Sequence, residues 1–448
     1  MEKRKDLQAE LLKDEPYVEK SREEEVDGTR HAREVRVIVL GSGFAGMSFV
    51  KSFTKHLSAP DLESVKLKVI SRRNYHLFTP LLYQVATGLT DEHHVIDPIE
   101  NNVRKLHYSV TEAEVESLDL VGRVVKTSEG AFPYDYLIIA LGSVSNDFGI
   151  RGVMDNAVSL KSLQDAERIR NAIIQSFEKS TLIGLNDPMF GTKRSAALTF
   201  VVVGGGATGV ELAGSIRDFT KLLSRKYYPV GAREVQVVLL EALDRLVPEF
   251  RERLSIKCRE SLESAGVEVK LGARVVEVAP TSVVLSDGTV IETQNVFWTA
   301  GTRANPVLES LSNLNKRKGR LVTDGFLRAE NLPNLYVVGD DAWIGQAPPT
   351  AAAAVQEGDY VGRQLASLIE GKRFEKPFEY RDRGSMLSLG RFVGLAQFHG
   401  GVVVTGFLGW ALWRMVHLAR IATMRNRLGV MLDWSLSLMH RRIVSRTD

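Results

Sequence analysis

Cysteine is nearly missing from this chain. Cys258 is the only one in 448 residues, which excludes an intramolecular disulfide, a Cys-x-x-Cys redox pair and a multi-cysteine metal site, and fits a reducing compartment. A charge imbalance is missing too. With 58 Lys and Arg against 55 Asp and Glu, the formal net charge is +3, too even for a chain whose main partner is a phosphate polymer. No nucleic-acid partner is expected. The first 34 residues are dense in Glu, Lys and Arg and lack an apolar h-region, so they read as a solvated extension rather than a secretory signal. The cytoplasmic side is therefore the expected location. Adjacent His93 and His94 point in different directions with no third ligand evident, so no metal is expected. What is present is a 44% hydrophobic, 25% charged composition, enough for two or more packed units.

Val35-Arg-Val-Ile-Val-Leu40 is short, β-branched and followed at once by glycines. It reads as a buried parallel strand, with a helix beginning near Phe44. A second such start stands at Leu198–Val203, 163 residues on when the glycines Gly41 and Gly204 are compared. That spacing is too long for a solenoid repeat and suits two dinucleotide-binding domains. Further strands are expected at Leu67–Ile70, Tyr136–Ala140, Val235–Leu240, Val296–Ala300 and Leu335–Val338. Glu129-Gly130 and Asp287-Gly288 mark antiparallel flaps. The expected fold class is α/β, with two Rossmann-type dinucleotide-binding domains and a C-terminal amphipathic segment.

Gly41-Ser-Gly43-Phe-Ala45-Gly46 and Gly204-Gly-Gly206-Ala-Thr208-Gly209 both match G-x-G-x-x-G between a strand and a helix. The first glycine permits the tight turn and the second lets backbone approach a pyrophosphate. The third allows close helix packing, while the helix N-terminus stabilises the anion. The following strands end differently. Val235–Leu240 runs into Glu241, placed to accept from an adenosine ribose and to repel a 2′-phosphate, which favours NADH over NADPH. Leu67–Ile70 runs into Ser71 and then Arg72-Arg73, with no carboxylate. Near residue 400 the composition turns apolar: Val402–Ala419 approaches the length of a membrane span but contains Arg414 and His417, and Leu428–Leu438 follows. Trp410, Trp413 and Trp434 among arginines favour a helix pair lying at a membrane surface, with a core or dimer role as the alternative.

Asn74-Tyr-His-Leu-Phe-Thr79-Pro80-Leu-Leu-Tyr-Gln-Val-Ala-Thr-Gly88, the two glycine turns, Trp298-Thr-Ala300-Gly301 and Val337-Val-Gly339-Asp340 together resemble the type II NADH dehydrogenases. These are single-chain, non-pumping NADH:quinone oxidoreductases. The resemblance runs from about Val35 to about Arg442 and includes the family's C-terminal membrane-binding helices. It implies a charged extension over 1–34, an FAD-binding domain over 35–150 and 304–390, an NADH-binding domain over 151–303, and a membrane-associating or dimerising region over 391–448. On this reading Gly41, Gly43, Ala45, Gly46, Ser71, Arg72, Thr79, Pro80, Gly142, Gly339 and Asp340 serve FAD. Gly204, Gly206, Thr208, Gly209, Glu211, Glu241, Ala300 and Gly301 serve NADH. Glu178 matches a family glutamate between nicotinamide and quinone, proposed to supply protons or tune charge, although an exposed Glu on an amphipathic helix is an equal alternative.

For the quinone, menaquinone or ubiquinone, the family pattern is close to Ala-Gln-x-x-x-Gln-Glu/Gln-Gly, whereas this chain reads Ala351-Ala352-Ala353-Ala354-Val355-Gln356-Glu357-Gly358. Ala352, Ala353, Gln356 and Glu357 are the expected quinone residues, with Gln356 placed beside Glu178 in the catalytic set and Ala352 replacing the first glutamine. The resemblance further implies a peripheral enzyme on the cytoplasmic face of the membrane and leaves homodimerisation open. A disulfide-type reductase is excluded by the lone Cys258. An NADH-dependent reductase of a ferredoxin-like or other soluble acceptor, and a non-catalytic FAD-binding sensor, stay as alternatives.

Overall fold

The computed structural model describes residues 34–102, 108–182, 189–226, 228–345, 347–439 and 442–446. Apart from Glu34, the charged extension lies outside them. The chain forms two compact units. One comprises the residues up to His76, Asp97–Val144 and Arg303–Asp382; the other comprises Leu77–Ile96, Ser145–Thr302 and the residues from Arg383 on.

In the first unit, Val35–Leu40 lies at the centre of a five-stranded sheet in the order 335–337, 136–139, 35–40, 65–71, 108–112, parallel throughout. Alternation of side chains across the strand divides its apolar residues between two cores. Val37 and Val39 pack with Phe49 and Phe53 of helix Phe44–His56, while Ile38 and Leu40 pack with Leu118 and Val125. Those last two belong to an antiparallel meander of strands 115–119, 124–127 and 130–133, the expected flap around Glu129-Gly130. Helix Ala351–Ile369 lies against helix Phe44–His56. Gly362 makes the approach close, since a Cβ there would stand 2.8 Å from the Phe49 carbonyl oxygen.

The second unit repeats the plan. Thr199–Val203 is central in the order 157–159, 295–298, 199–203, 236–240, 268–270, again all parallel. Helix Ala207–Lys226 follows the central strand, and a meander of strands 275–279, 282–285 and 290–292 follows the sheet's edge strand. The strand expected over Val296–Ala300 covers Asn295–Trp298, which leaves Thr299 to Gly301 as loop.

This unit also carries the C-terminal elements, where two expectations need correction. The apolar run from Val402 is not one segment: Val403–Thr405 pairs as a strand with Gly394–Gln397, and helix Gly406–Arg420 begins only afterwards. Its 15 residues span about 22 Å, short of a bilayer core of about 30 Å. Among the described residues no helix is long and apolar enough to cross a membrane. The tryptophans, expected at the water–lipid boundary, are buried: Trp410 is 7%, Trp413 1% and Trp434 5% exposed. They fasten the helices inward. Trp413 packs edge-on to Tyr83, Trp434 donates its ring N–H to Gln84 Oε1 at 2.7 Å, and the Arg414 guanidinium lies 4.0 Å from the Trp410 ring and 4.5 Å from that of Trp434. The outward apolar face consists instead of Phe407, Leu408 and Met415, with Leu428, Met431 and Leu432 on helix Met424–Leu438.

Candidate functional site

In the first unit, Gly41 adopts φ +101° and donates its N–H to the Ile70 carbonyl at 2.8 Å. A Cβ at Gly41 would collide with the Ala140 carbonyl, and one at Gly46 with the Gly41 carbonyl. Gly43 differs, because a Cβ there would meet nothing within 4 Å. That open side lies at the N-terminus of helix Phe44–His56, whose first turn has no acidic residue and includes the buried Ala45. Ser71 is bonded to Ser42 Oγ at 2.8 Å, and Ser42 donates in turn to the Tyr75 carbonyl. Arg72 is exposed. His76 is bonded through Nδ1 to the Ser42 carbonyl at 2.8 Å, and burial lowers its pKa, which favours the neutral ring.

Carboxylates gather after strand Leu335–Val337. Gly339 turns at φ +73°, and Asp340 accepts from the Ser143 hydroxyl at 2.5 Å. Asp341 is fully buried and accepts the Gly142 N–H at 2.8 Å. Burial, reinforced by Asp340, pushes Asp341 up to about 8. Glu357 accepts the Gly339 N–H at 2.5 Å, and burial pushes it up to about 7. Gln356 stands one helical turn from the half-buried Ala352, and Ala353 is buried. The Gln356 amide donates to the Ala352 and Arg381 carbonyls at 3.1 Å and accepts the Arg381 N–H at 3.1 Å. Sequence reading singled out Asp340 and passed over Asp341 and Ser143. The doubled acid after Gly339 was the available signal.

The second unit reproduces the cradle. Gly204 adopts φ +111°, its N–H donates to the Leu240 carbonyl at 2.8 Å, and a Cβ there would stand 2.7 Å from the Ala300 nitrogen. Gly206 is open like Gly43, a Cβ at Gly209 would collide with the Gly204 carbonyl, and Thr208 is exposed in the first turn of the helix. Glu241 accepts the Gly205 N–H at 2.6 Å through one oxygen and the Leu243 N–H at 2.7 Å through the other. A carboxylate has about four lone-pair positions, so about two stay available to further donors. Gly301 adopts φ +66°, and Phe148 lies where its Cβ would be, 2.5 Å away.

Glu211 does not face solvent, the default for a helical Glu. It is buried and accepts the Ser388 N–H at 2.9 Å, and burial pushes it up to about 8. Glu178 is 42% exposed and paired with Arg446 at 3.1 Å. Thr79 and Pro80 form a single turn, with Thr79 exposed. Gln84, not singled out from sequence, is the buried polar centre of that segment, since its Oε1 also accepts from Thr90 at 2.9 Å. A glutamine inside Leu81–Val85 was the clue. His93 is bonded to Asp91 at 2.9 Å and His94 to Asp433 at 2.6 Å. No group of three or more metal-ligating side chains occurs among the described residues. Burial pushes the Cys258 thiol up to about 12, so it is not a reactive thiolate.

Two Rossmann-type units, each with an anion cradle at the end of its central strand, define a two-dinucleotide oxidoreductase. Residues 35–358 match the family model described as pyridine nucleotide-disulphide oxidoreductase. The type II NADH:quinone oxidoreductase Ndh of Mycobacterium tuberculosis is 32% identical over 426 residues, covering 92% of this chain and 89% of that protein. The mitochondrial external alternative NAD(P)H-ubiquinone oxidoreductase B3 of Arabidopsis thaliana is 37% identical over 333 residues, covering 70% of this chain and 56% of that one. The solved structure of NDH2 from Plasmodium falciparum in complex with NADH superposes with a TM-score of 0.84 at 21% identity, covering 92% of this chain and all of that one. The chain belongs to the pyridine nucleotide-disulphide oxidoreductases and, among them, to the type II NADH:quinone oxidoreductases.

Proposed function

We propose that this protein oxidises NADH and reduces a membrane quinone, menaquinone or ubiquinone, with FAD in the first unit and without pumping protons. The observation that carries the reading is the pair of like cradles with unlike strand ends, Ser71 in one unit and Glu241 in the other. The first suits a flavin dinucleotide: Gly43 leaves the start of its helix open, no acid stands in the first turn, and the Ser143–Asp340 pair offers polar atoms at the end of the same sheet. FAD, when bound there, supplies the two-electron relay between nicotinamide and quinone. In the second unit, Gly206 opens the turn to the NADH pyrophosphate, and Glu241 accepts from the ribose while repelling a 2′-phosphate. Gly301 and Phe148 shape the loop after strand Asn295–Trp298 for the nicotinamide end.

Ala352 offers a quinone carbonyl no amide, and Gln356 already serves the Arg381 backbone. Quinone selection therefore rests on apolar fit more than on side-chain hydrogen bonds. Glu178, exposed and held by Arg446, is the candidate for passing protons from solvent. The apolar face of the C-terminal helices attaches the enzyme to the cytoplasmic face of the membrane, or to a second copy of the chain.

An anaerobic titration tests the proposal. NADH bleaches the flavin band of the purified protein, NADPH does so poorly, and a menaquinone or ubiquinone analogue restores the band. Bleaching without return on adding quinone would favour a soluble acceptor, the second reading, which the missing glutamine at Ala352 keeps in view.

A further inference from the structure

Within the second unit lies a cavity of about 280 Å³ that the dinucleotide chemistry does not use. Lys221, Arg225 and Lys226 line it from the last two turns of helix Ala207–Lys226, and Arg391, Arg414 and Arg442 line it from the C-terminal region. Among the described residues Asp218 is the only acidic one in the lining. It accepts the Arg391 backbone N–H at 2.7 Å. Six cations line it against one carboxylate, three of them exposed (Arg225, Lys226 and Arg391) and three half-buried (Lys221, Arg414 and Arg442), so the cavity carries a net positive charge that suits an anion. Neighbouring cations add to burial in lowering the pKa of three of them. Burial and then Arg217 and Arg225 lower Lys221, burial and Arg391 lower Arg442 against the pull of Asp218, and burial brings Arg414 down to about 10.

The cationic end of the cavity lies away from the nucleotide cradle, while Ser388, elsewhere in the lining, donates to Glu211. Lys221 stands twelve residues beyond Gly209 on one helix, about 18 Å along its axis. Its volume equals that of about nine waters in the liquid, room for a phosphate with its glycerol. Its rim says which anion. Leu438 and Trp410 line the wall, and the exposed Phe407, Leu408, Met415 and Met439 follow on the same helices or directly after them. Arg414, clamped between the Trp410 and Trp434 rings, stands next to Met415. A ligand with phosphate at one end and alkyl chains at the other satisfies both parts.

We propose that this cavity binds the phosphate of an anionic phospholipid headgroup, with the acyl chains lying on the apolar face of helices Gly406–Arg420 and Met424–Leu438. The proposal rests on the membrane attachment inferred above.

The test titrates the flavin-loaded, full-length protein calorimetrically with dihexanoyl-phosphatidylglycerol kept monomeric, so that no membrane surface potential contributes. Saturable one-to-one binding is expected, at least about tenfold tighter than for dihexanoyl-phosphatidylcholine or inorganic phosphate. Lys221→Gln with Arg225→Gln should weaken it about 25-fold, at about fivefold per cation removed. Arg420→Gln with Arg425→Gln, cations of the same tail outside the cavity lining, should leave it unchanged. If the first pair does not fold, Arg225→Gln with Lys226→Gln removes two exposed cations from the helix end. Equal binding of inorganic phosphate would make this a free-phosphate site, and equal binding of the choline lipid, or equal loss in the Arg420/Arg425 variant, would overturn the assignment. Flotation of the wild type with phosphatidylglycerol vesicles separates the two readings. Flotation without monomer binding overturns the cavity alone, whereas no flotation overturns the attachment and the cavity with it.

Discussion

In each unit the central strand has the next two strands of its own sheet on one side and, on the other, the strand that follows an antiparallel meander. The agreement reaches single hydrogen bonds. Gly41 and Gly204 both donate to a carbonyl at the end of the neighbouring strand, that of the penultimate residue Ile70 and that of the last residue Leu240, each at 2.8 Å. The units part where backbone gives way to side chain. Ser71 leaves the first turn without a carboxylate, while Glu241 grips the second through Gly205 and Leu243. Their outer strands also have different sources: Leu335–Val337 arrives from far along the chain, and Ala157–Ser159 precedes its own unit's central strand. The lesson is that the cradle is backbone geometry, which two different sequences can reproduce, whereas the two turns differ in one or two side chains around it, to which the proposed function assigns the choice of nucleotide.

The sharpest way to break the comparison is to fill the third glycine of each turn. Gly46→Val and Gly209→Val would each collide with a carbonyl, costing about 3 kcal/mol or about 100-fold in affinity at that site alone. Absorbance and anaerobic titration should find the first protein without flavin and the second yellow but unbleached by NADH. Loss of flavin from the Gly209→Val protein, or loss of calorimetric NADH binding by the flavin-free Gly46→Val protein, would show that the sites are not independent.

The tail is an addition that only the second unit carries. Trp413→Ala should cost about 3 to 5 kcal/mol in denaturant unfolding, as for other buried aromatics. Leu408→Gln, on the exposed face, should change stability by no more than about 0.5 kcal/mol yet reduce flotation with vesicles.

Both units bury carboxyls, and this predicts a pH dependence. Glu211, near 8 in the folded protein against an ordinary 4.5, holds its proton more tightly folded than unfolded. Its contribution is most favourable below about 4.5 and is lost as pH rises toward 8. Glu211→Gln should remove that decline in the melting profile and stabilise the protein at pH 8 by on the order of a few kcal/mol. An unchanged slope would assign the dependence to Asp341 and Glu357 of the first unit.

The smallest effect on function concerns nucleotide choice. Glu241→Ala should raise the KM for NADH about tenfold, or about 1.4 kcal/mol, and narrow the gap to NADPH with kcat less affected. Steady-state kinetics with both nucleotides decides it.

Local patterns were legible where they act locally. The run Val35–Leu40, the glycine turns and the helices after them follow from β-branched strands and from positions where a side chain cannot fit, and Glu241 could be named because it ends a strand of known neighbours. A glutamate inside a helix reads by default as solvated, and nothing near Glu211 in sequence reveals Ser388, 177 positions away. The tryptophans misled for the same reason: an apolar, arginine-flanked stretch looks alike whether its rings meet lipid or Tyr83 and Gln84.

By itself the sequence determined the strand–glycine–helix units, their repetition and the identity of the residues at the two turns, since these depend on backbone sterics over a few neighbours. Only the tertiary structure decided which carboxyls lose water, which face of the tail looks outward and which cations share one cavity. Burial and long-range electrostatics are properties of groups brought together from distant parts of the chain.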